Sequence, residues 1–240
     1  FCFRKEMVGP QGEMLNSEEI ERALTYINTH KEIWEVILTG GDPLMLSARR
    51  LERLCGALHE MDHIKSIRFH TRVPIVSPEM IPPQKISAIS GRTPVYVVIH
   101  ANHAQEFTPE GIEACQRLAD AGFPLLCESV LLKDVNDTID ALEGLVRICV
   151  ENRIKPYYLH HLDHAPGTEH FRVSIEHGQK LMRQLLHRCS GLCQPTYVLD
   201  IPGGVAKVPL TACKLEKLEQ GHYRIEDPAG EIHDYIDTAA

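Results

Sequence analysis

The stretch Val95-Tyr-Val-Val-Ile-His-Ala-Asn-His103 begins the pattern on which the fold prediction depends. Its first six residues are mostly valine and isoleucine, which predicts a buried strand that ends in polar residues. Thr108 and Pro109 then mark a helix start, because the hydroxyl can cap the first turn and proline suits the first helical position. Gly122 suits the left-handed residue that ends such a helix. A strand followed by a helix is therefore predicted here.

The same alternation extends along the chain on both sides of this unit. Repeated strand–helix–strand order implies right-handed crossovers and a parallel sheet with helices outside it. The predicted strands are Glu35–Leu38, Ser66–His70, Val95–His100, Leu125–Leu131, Pro156–His160 and Thr196–Asp200. The predicted helices are Glu18–Thr29, Ala48–Met61, Pro82–Ser90, Pro109–Ala121, Ile139–Asn152 and Ile175–His187. The pattern indicates an α/β fold, either a full or partial β/α barrel or an open doubly wound sheet.

Composition restricts the partners and the location. The chain has 240 residues, of which 43% are hydrophobic and 24% charged, which is compatible with one large α/β domain. A net charge of −8 argues against a nucleic-acid partner, since phosphate contacts need clustered cations. We expect no membrane partner, because no apolar run reaches the length of a bilayer span. The eight scattered cysteines favour buried thiols in a reducing, cytoplasmic environment.

Every predicted strand ends in polar residues of the kinds that bind ligands. The carboxyl ends of parallel strands share one edge of a sheet or barrel, and ligands bind at that edge. The polar clusters are Thr39-Gly-Gly-Asp42, His70-Thr-Arg72, His100-Ala-Asn-His103, Glu128-Ser129, His160-His-Leu-Asp163 and the residues from Asp200 onward. Their common position predicts an enzyme.

Single residues in these clusters allow more than one interpretation. Asp163 and Asp200 could bind a cation or transfer protons, or be ordinary loop aspartates. Lys207 follows a glycine-containing loop, where a lysine shielded from water can form a Schiff base, but many lysines are solvated. Asp42 could serve a ligand site or simply cap a turn. Cys2 by itself does not indicate an iron–sulfur cluster, which needs several thiolates.

Several stretches between Cys2 and about Leu210 carry a resemblance, in order and at compatible spacing. They are Cys2-Phe-Arg-Lys5, Thr39-Gly-Gly-Asp-Pro-Leu44, Arg72-Val-Pro-Ile-Val76, His100-Ala-Asn-His103, Ser129-Val-Leu-Leu-Lys-Asp-Val-Asn-Asp137, Pro156-Tyr-Tyr-Leu-His160, Glu169-His-Phe-Arg172 and Asp200-Ile-Pro-Gly-Gly-Val-Ala-Lys207. Together they resemble the lysine 2,3-aminomutase family of radical S-adenosylmethionine enzymes. The resemblance implies a partial (β/α)6 TIM-like barrel over residues 1–210 and a C-terminal appendage over 211–240. It also implies a fragment truncated at the N-terminus, with the first barrel strand missing.

The resemblance also implies roles for individual residues. Cys2 would bind a 4Fe–4S cluster, and Arg4 would bind the substrate carboxylate. Lys207 would carry pyridoxal 5'-phosphate, while Asp163 and Asp200 would bind the side-chain ammonium of lysine. The residues implied to contact S-adenosyl-L-methionine are Gly40, Gly41, Asp42, His100 and Glu128. The sequence departs from the family at Val205 and Ala206, where most members have glycine.

The implied reaction moves the α-amino group of L-lysine to the β-carbon and gives β-lysine, through a pyridoxal phosphate imine. It would need an electron donor for the cluster, and the oligomeric state is left open. Three alternatives remain: formation of β-lysine for elongation factor P, a glutamate 2,3-aminomutase, and a non-catalytic α/β binding module. A glutamate enzyme would need cationic or neutral residues where Asp163 and Asp200 stand.

Overall fold

The structure, a computed structural model, describes residues 16–201, 206–210, 215–219, 222–226 and 230–236. Seven strands form one sheet in sequential order, with the first six parallel and the seventh antiparallel to the sixth. They are β1 Glu35–Leu38, β2 Ser66–Thr71, β3 Val95–His100, β4 Leu125–Val130, β5 Ile154–His160, β6 Thr196–Asp200 and β7 Lys207–Pro209. The sheet curls into a half-barrel, which confirms the predicted partial β/α barrel.

Helices follow the strands as the alternating pattern predicts. They are α1 Ser17–Thr29, α2 Ala48–His59, α3 Val73–Val76, α4 Pro83–Ile89, α5 Pro109–Asp120, α6 Ile139–Glu151 and α7 Ile175–Arg188. Thr108 caps α5, as predicted, and Thr138 and Ser174 cap α6 and α7. The carboxylate of Asp137, just before α6, accepts from the amide of Asp134 at 2.9 Å. None of the helices in the described ranges has the length and apolarity that a bilayer crossing needs.

The alternation of side chains along a strand separates the buried core from the polar, concave side of the sheet. In β2, Ile67 and Phe69 are fully buried, whereas the alternate residues Arg68 and His70 are only partly covered. Successive strand side chains point to opposite faces, so the apolar set packs towards the helices and the polar set faces the concave side. The concave side therefore carries the polar residues at the strand ends.

A β-bulge interrupts the pairing of β4 with β5. Cys127 pairs with Pro156, but the next residue, Glu128, pairs with Tyr158, so Tyr157 is the extra residue. Proline lacks an amide hydrogen and is found in sheets mostly at edges and bulges. Beyond the bulge, Leu159 is buried and His160 lies on the partly exposed side.

A second sheet lies in the C-terminal region. It is antiparallel and consists of β8 Leu215–Glu219, β9 His222–Glu226 and β10 Ile232–Ile236. The sequence indicated only a polar appendage there, and the proposed boundary between residues 210 and 211 stays a prediction. Neither β7 nor these three strands was predicted, because each is only three to five residues long.

The packing of α7 against β6 leads to a stability prediction. A Cβ at Gly178 would overlap the ring and hydroxyl of the fully buried Tyr197, so Gly178→Ala should destabilise the fold. Overpacking of this kind costs about 1–3 kcal/mol, measurable as a lower free energy of unfolding in urea. Gly144→Ala in α6 is the matched control, because its Cβ would meet only Ala104 at 3.8 Å. Equal stability of the two variants would contradict the predicted overlap.

Candidate active site

A continuous chain of polar and charged side chains, here called the polar chain, links five strands on the concave side. His70 Nδ1 lies 3.1 Å from Glu128 Oε2, and His160 Nε2 lies 3.9 Å from Glu128 Oε1. His160 Nδ1 is 3.0 Å from Asp200 Oδ2, and Lys207 Nζ donates to both oxygens of Asp200 at 2.6 and 2.8 Å. The polar chain thus brings together the predicted residues Glu128, Asp200 and Lys207.

Strand pairing explains why these side chains meet. Asp200 ends β6 and pairs directly with Lys207, the first residue of the antiparallel β7. His160 ends β5, two residues beyond Tyr158, which pairs with Glu128 of β4. Neighbours in a sheet share a face, so the four charged groups point to the same side. The Lys207 ammonium also lies 5.2 Å from the centre of the Tyr158 ring, within reach of a cation–π contact.

Both carboxylates of the polar chain are held in their ionised form. Burial tends to raise the pKa of Glu128, but contacts with His160 and His70 outweigh it and keep that pKa below its usual value. Burial also acts against ionisation of Asp200, yet hydrogen bonds from Lys207 and His160 bring its pKa below the usual value. The site therefore keeps two negative charges next to partly covered cationic groups.

Asp163 is a third carboxylate at the same edge, just beyond β5. It is half-buried, and burial together with the negative charge of Asp200 raises its pKa. A cation that lies between two mutually repelling carboxylates stabilises both of them. Asp163 and Asp200 therefore form a candidate cation-binding pair, which is one of the interpretations that the sequence left open.

The loop after β1 contains the predicted cofactor-contacting residues Gly40, Gly41 and Asp42. The Asp42 carboxylate accepts from the Thr71 hydroxyl at 2.7 Å and from the amides of Arg72 and Leu44 at 2.6 and 3.0 Å. It therefore caps a local turn, as one interpretation held, and also ties the loop to the end of β2. Gly40 has a φ of +118°, and both glycines are exposed, so their backbone is open to a ligand.

A buried lysine beneath this loop escaped the sequence analysis. Lys85 of α4 is only 6% exposed, and its ammonium donates to the Leu44 carbonyl at 2.5 Å. Burial lowers its pKa, and the nearby Asp42 acts in the opposite direction. The signal available in the sequence was a lysine inside the apolar pattern of a short helix. Its contact shows that the loop is held from below as well as from β2.

His100, another of the predicted cofactor-contacting residues, is partly buried at the end of β3. Burial and then the neighbouring Arg72 lower its pKa from 6.5 to about 4, although Glu128 and Glu106 act in the opposite direction. Its ring is therefore neutral at physiological pH. Asn102 Nδ2 lies 3.4 Å from His100 Nε2, and the Asn102 side-chain oxygen accepts from the amide of Val130 at 2.8 Å.

The low pKa of His100 predicts a pH-dependent loss of stability. In the unfolded chain the imidazole binds a proton near its ordinary pKa of 6.5, while in the folded chain it does so only near 4. Acidification from 6.5 towards 4 therefore favours the unfolded state, and stability is fully present above this range. Between about pH 7.5 and about pH 5 the loss should be on the order of 2 kcal/mol.

Urea unfolding of wild type and His100→Gln at both pH values tests this expectation. The variant should lose less stability on acidification, because an amide does not titrate in this range. Parallel pH profiles for the two proteins would show that His100 contributes nothing to the dependence.

Other predicted residues cannot be placed. Cys2 and Arg4, and the loop residues 202–205, lie outside the residues that the structure describes. Their predicted roles, including the cluster ligand, stay predictions. Within the described ranges, no group of three or more His, Cys, Asp or Glu residues has the arrangement of a metal site.

The described fold is shared with solved radical S-adenosylmethionine enzymes. Streptococcus suis SuiB bound to S-adenosylmethionine matches with a TM-score of 0.58 and 14% identity, over 79% of this chain and 45% of that chain. A radical SAM methyltransferase from Sphaerobacter thermophilus matches with a TM-score of 0.59 and 20% identity, over 83% of this chain and 62% of that chain. The half-barrel therefore has the same fold as these solved enzymes.

Sequence comparison gives more similar relatives. L-lysine 2,3-aminomutase of Clostridium subterminale is 38% identical over 209 residues, covering 87% of this chain and 50% of that protein. Putative L-lysine 2,3-aminomutase of Aquifex aeolicus is 37% identical over 98% of this chain and 64% of that protein. Glutamate 2,3-aminomutase of Clostridioides difficile is 35% identical over 87% of this chain and 50% of that protein. Over most of its length the chain is therefore similar to L-lysine 2,3-aminomutases, with a glutamate 2,3-aminomutase among the relatives.

These matches cover only part of each curated relative. The chain spans about half the length of several curated relatives that it matches, and 64% of the Aquifex protein. No protein-family model matches the chain.

Proposed function

We propose that the full-length protein is a radical S-adenosylmethionine aminomutase that moves the α-amino group of L-lysine to the β-carbon. Similarity to curated aminomutases supports the reaction class, and the geometry around Asp200 supports lysine as the substrate. The observation that carries the substrate choice is the Lys207 ammonium, which lies 2.6 and 2.8 Å from the two Asp200 oxygens. The side chain of a free lysine would present the same chemical group to this carboxylate.

Asp163 and Asp200 are the proposed side-chain binding pair. Charge-assisted hydrogen bonds between an ammonium and carboxylates are among the stronger polar contacts in proteins. A glutamate side chain would instead bring a third negative charge to two carboxylates that already repel each other. Although a glutamate 2,3-aminomutase is among the relatives, this pair favours lysine.

Lys207 is the proposed attachment residue for pyridoxal 5'-phosphate. Its amine lies on the concave side, about one third exposed, where it is paired with Asp200. A primary amine at this position can bond to an aldehyde carbon once it has lost its proton. When bound, this cofactor supplies an electron sink for the migrating nitrogen, and the protein orients the reactants and excludes water.

The opposite part of the edge is the proposed S-adenosylmethionine site. The exposed backbone of Gly40 and Gly41 is open there, because a Cβ at either residue would meet nothing within 4 Å. Glu128 and the neutral ring of His100 lie between this loop and Asp200 in strand order. Cys2 is the proposed cluster ligand and Arg4 the proposed partner of the substrate carboxylate. An electron donor would reduce the cluster.

Product analysis of the full-length protein tests the proposal. The reduced protein, with its cluster reconstituted, would be incubated without oxygen with S-adenosylmethionine, pyridoxal phosphate and either L-lysine or L-glutamate. We expect β-lysine from lysine and no β-glutamate from glutamate. The reverse result would favour the glutamate enzyme, and absence of both product and cofactor binding would favour a binding module.

A further inference from the structure

His160 has no role in the function proposed so far, yet it lies at the centre of the polar chain. Its Nδ1 is 3.0 Å from Asp200 Oδ2 and 3.5 Å from Lys207 Nζ, and its Nε2 faces Glu128 at 3.9 Å. The side chain is only 18% exposed, and its ring packs edge-on against Tyr158 with 5.6 Å between ring centres. Its position is therefore fixed by contacts on three sides.

The hydrogen bond between His160 and Asp200 has a defined donor and acceptor. Because Asp200 is ionised, its oxygens accept, and Nδ1–H of His160 is the donor. Lys207 donates to both oxygens of the same carboxylate. A carboxylate has about four acceptor positions, so these three hydrogen bonds leave room for one more donor. That free position could accept a substrate ammonium.

Attachment of a cofactor to Lys207 would change this arrangement. A lysine bonded through its nitrogen no longer offers a free ammonium to Asp200. Among the residues that the structure describes, His160 then supplies the remaining hydrogen bond to the Asp200 side chain. Asp200 is 37% exposed at a strand end, so without that bond its carboxylate could rotate towards solvent.

We propose that His160 is a positioning residue that holds the Asp200 carboxylate towards the side-chain ammonium of the substrate. The inference rests on the proposed function, since it assumes that Asp200 binds that ammonium. It adds a specificity role for His160, acting through Asp200 rather than by contact with the reacting atoms. Glu128, 3.9 Å from its Nε2, lies on the other side of the ring.

Two amide substitutions separate the two ring nitrogens. The Asn side chain can place its NH2 group near the position of Nδ1, whereas the Gln side chain reaches the position of Nε2. His160→Asn should therefore retain the bond to Asp200, and His160→Gln should lose it. Both variants remove the imidazole, so any difference between them reports on the donor position.

The test measures the binding of L-lysine and of L-norleucine, which lacks the side-chain ammonium. The full-length protein loaded with pyridoxal phosphate would be titrated with each, and the cofactor absorbance change would give the dissociation constant. We expect His160→Gln to weaken lysine binding by roughly tenfold or more, the effect of one hydrogen bond to a charged group. His160→Asn should stay within about threefold of wild type, and norleucine binding should not change in either variant.

Each other outcome has a distinct meaning. Equal weakening of lysine and norleucine binding, or equal effects of the Asn and Gln variants on lysine, would overturn the positioning role. A wild-type protein that binds both amino acids equally would overturn the assignment of Asp200 and this inference with it. A wild-type protein that shows no bound-cofactor absorbance would overturn the proposed function itself.

Discussion

Lys207→Ala is expected to abolish the Schiff-base absorbance band that pyridoxal phosphate should give with the full-length protein. The variant removes the nitrogen that lies between Asp200 and His160 at the C-terminal edge of the sheet. No other group replaces a primary amine in the covalent bond to the aldehyde, so the loss should be complete rather than partial. Spectrophotometric titration with the cofactor measures it directly.

Two control variants distinguish the covalent role of Lys207 from the effect of its charge. Lys207→Arg keeps a cation opposite Asp200 but cannot form the imine, so its band should also be absent. Lys180→Ala, at an exposed position of α7, should leave the band unchanged. A band of wild-type intensity in Lys207→Ala would show that another amine carries the cofactor. The site assignment would then be wrong.

Asp163→Asn should weaken L-lysine binding by roughly tenfold to a hundredfold, while the affinities for pyridoxal phosphate and S-adenosylmethionine stay near wild type. Asp163 is half-buried and lies within electrostatic reach of Asp200, and the amide removes one of the two negative charges. Hydrogen bonds to charged groups contribute about 1.5–3 kcal/mol, which corresponds to this range. Affinities can be measured by equilibrium titration of each ligand.

Norleucine serves as the matched ligand for this variant, because it lacks the ammonium that Asp163 is expected to bind. Its affinity should be unaffected. Equal loss of lysine, norleucine and cofactor binding would indicate general damage and count against the assigned pair. Asp200→Asn is a less selective test, because it also removes the ion pair that holds Lys207.

Much of the fold follows from the sequence because its strands are apolar and its helices begin with strong caps. The predicted strand Val95–His100 has the observed bounds, and the predicted Leu125–Leu131 ends one residue later than the observed strand. The three-residue strand β7 could not be predicted, since Lys-Val-Pro has no strand pattern of its own. It forms because Asp200 and its neighbours in β6 offer an open edge.

The candidate site was predictable in location but not in its contacts. The strand-end rule brought Glu128, Asp200 and Lys207 to one edge, because the carboxyl ends of parallel strands share that edge. The hydrogen bond between His160 and Asp200 joins residues 40 positions apart in the chain. Such a contact depends on the register of β5 against its neighbours, which side-chain alternation within one strand does not determine.

The single-residue insertion at Tyr157 has a consequence for any shortened variant of this chain. Removing Tyr157 would restore regular pairing between β4 and β5, because Glu128 already pairs with Tyr158, and the later side chains of β5 would keep their faces. Leu159 would stay in the apolar layer, and His160 would stay on the concave side. The bulge therefore accommodates one extra residue in β5 without changing which side chains face the site.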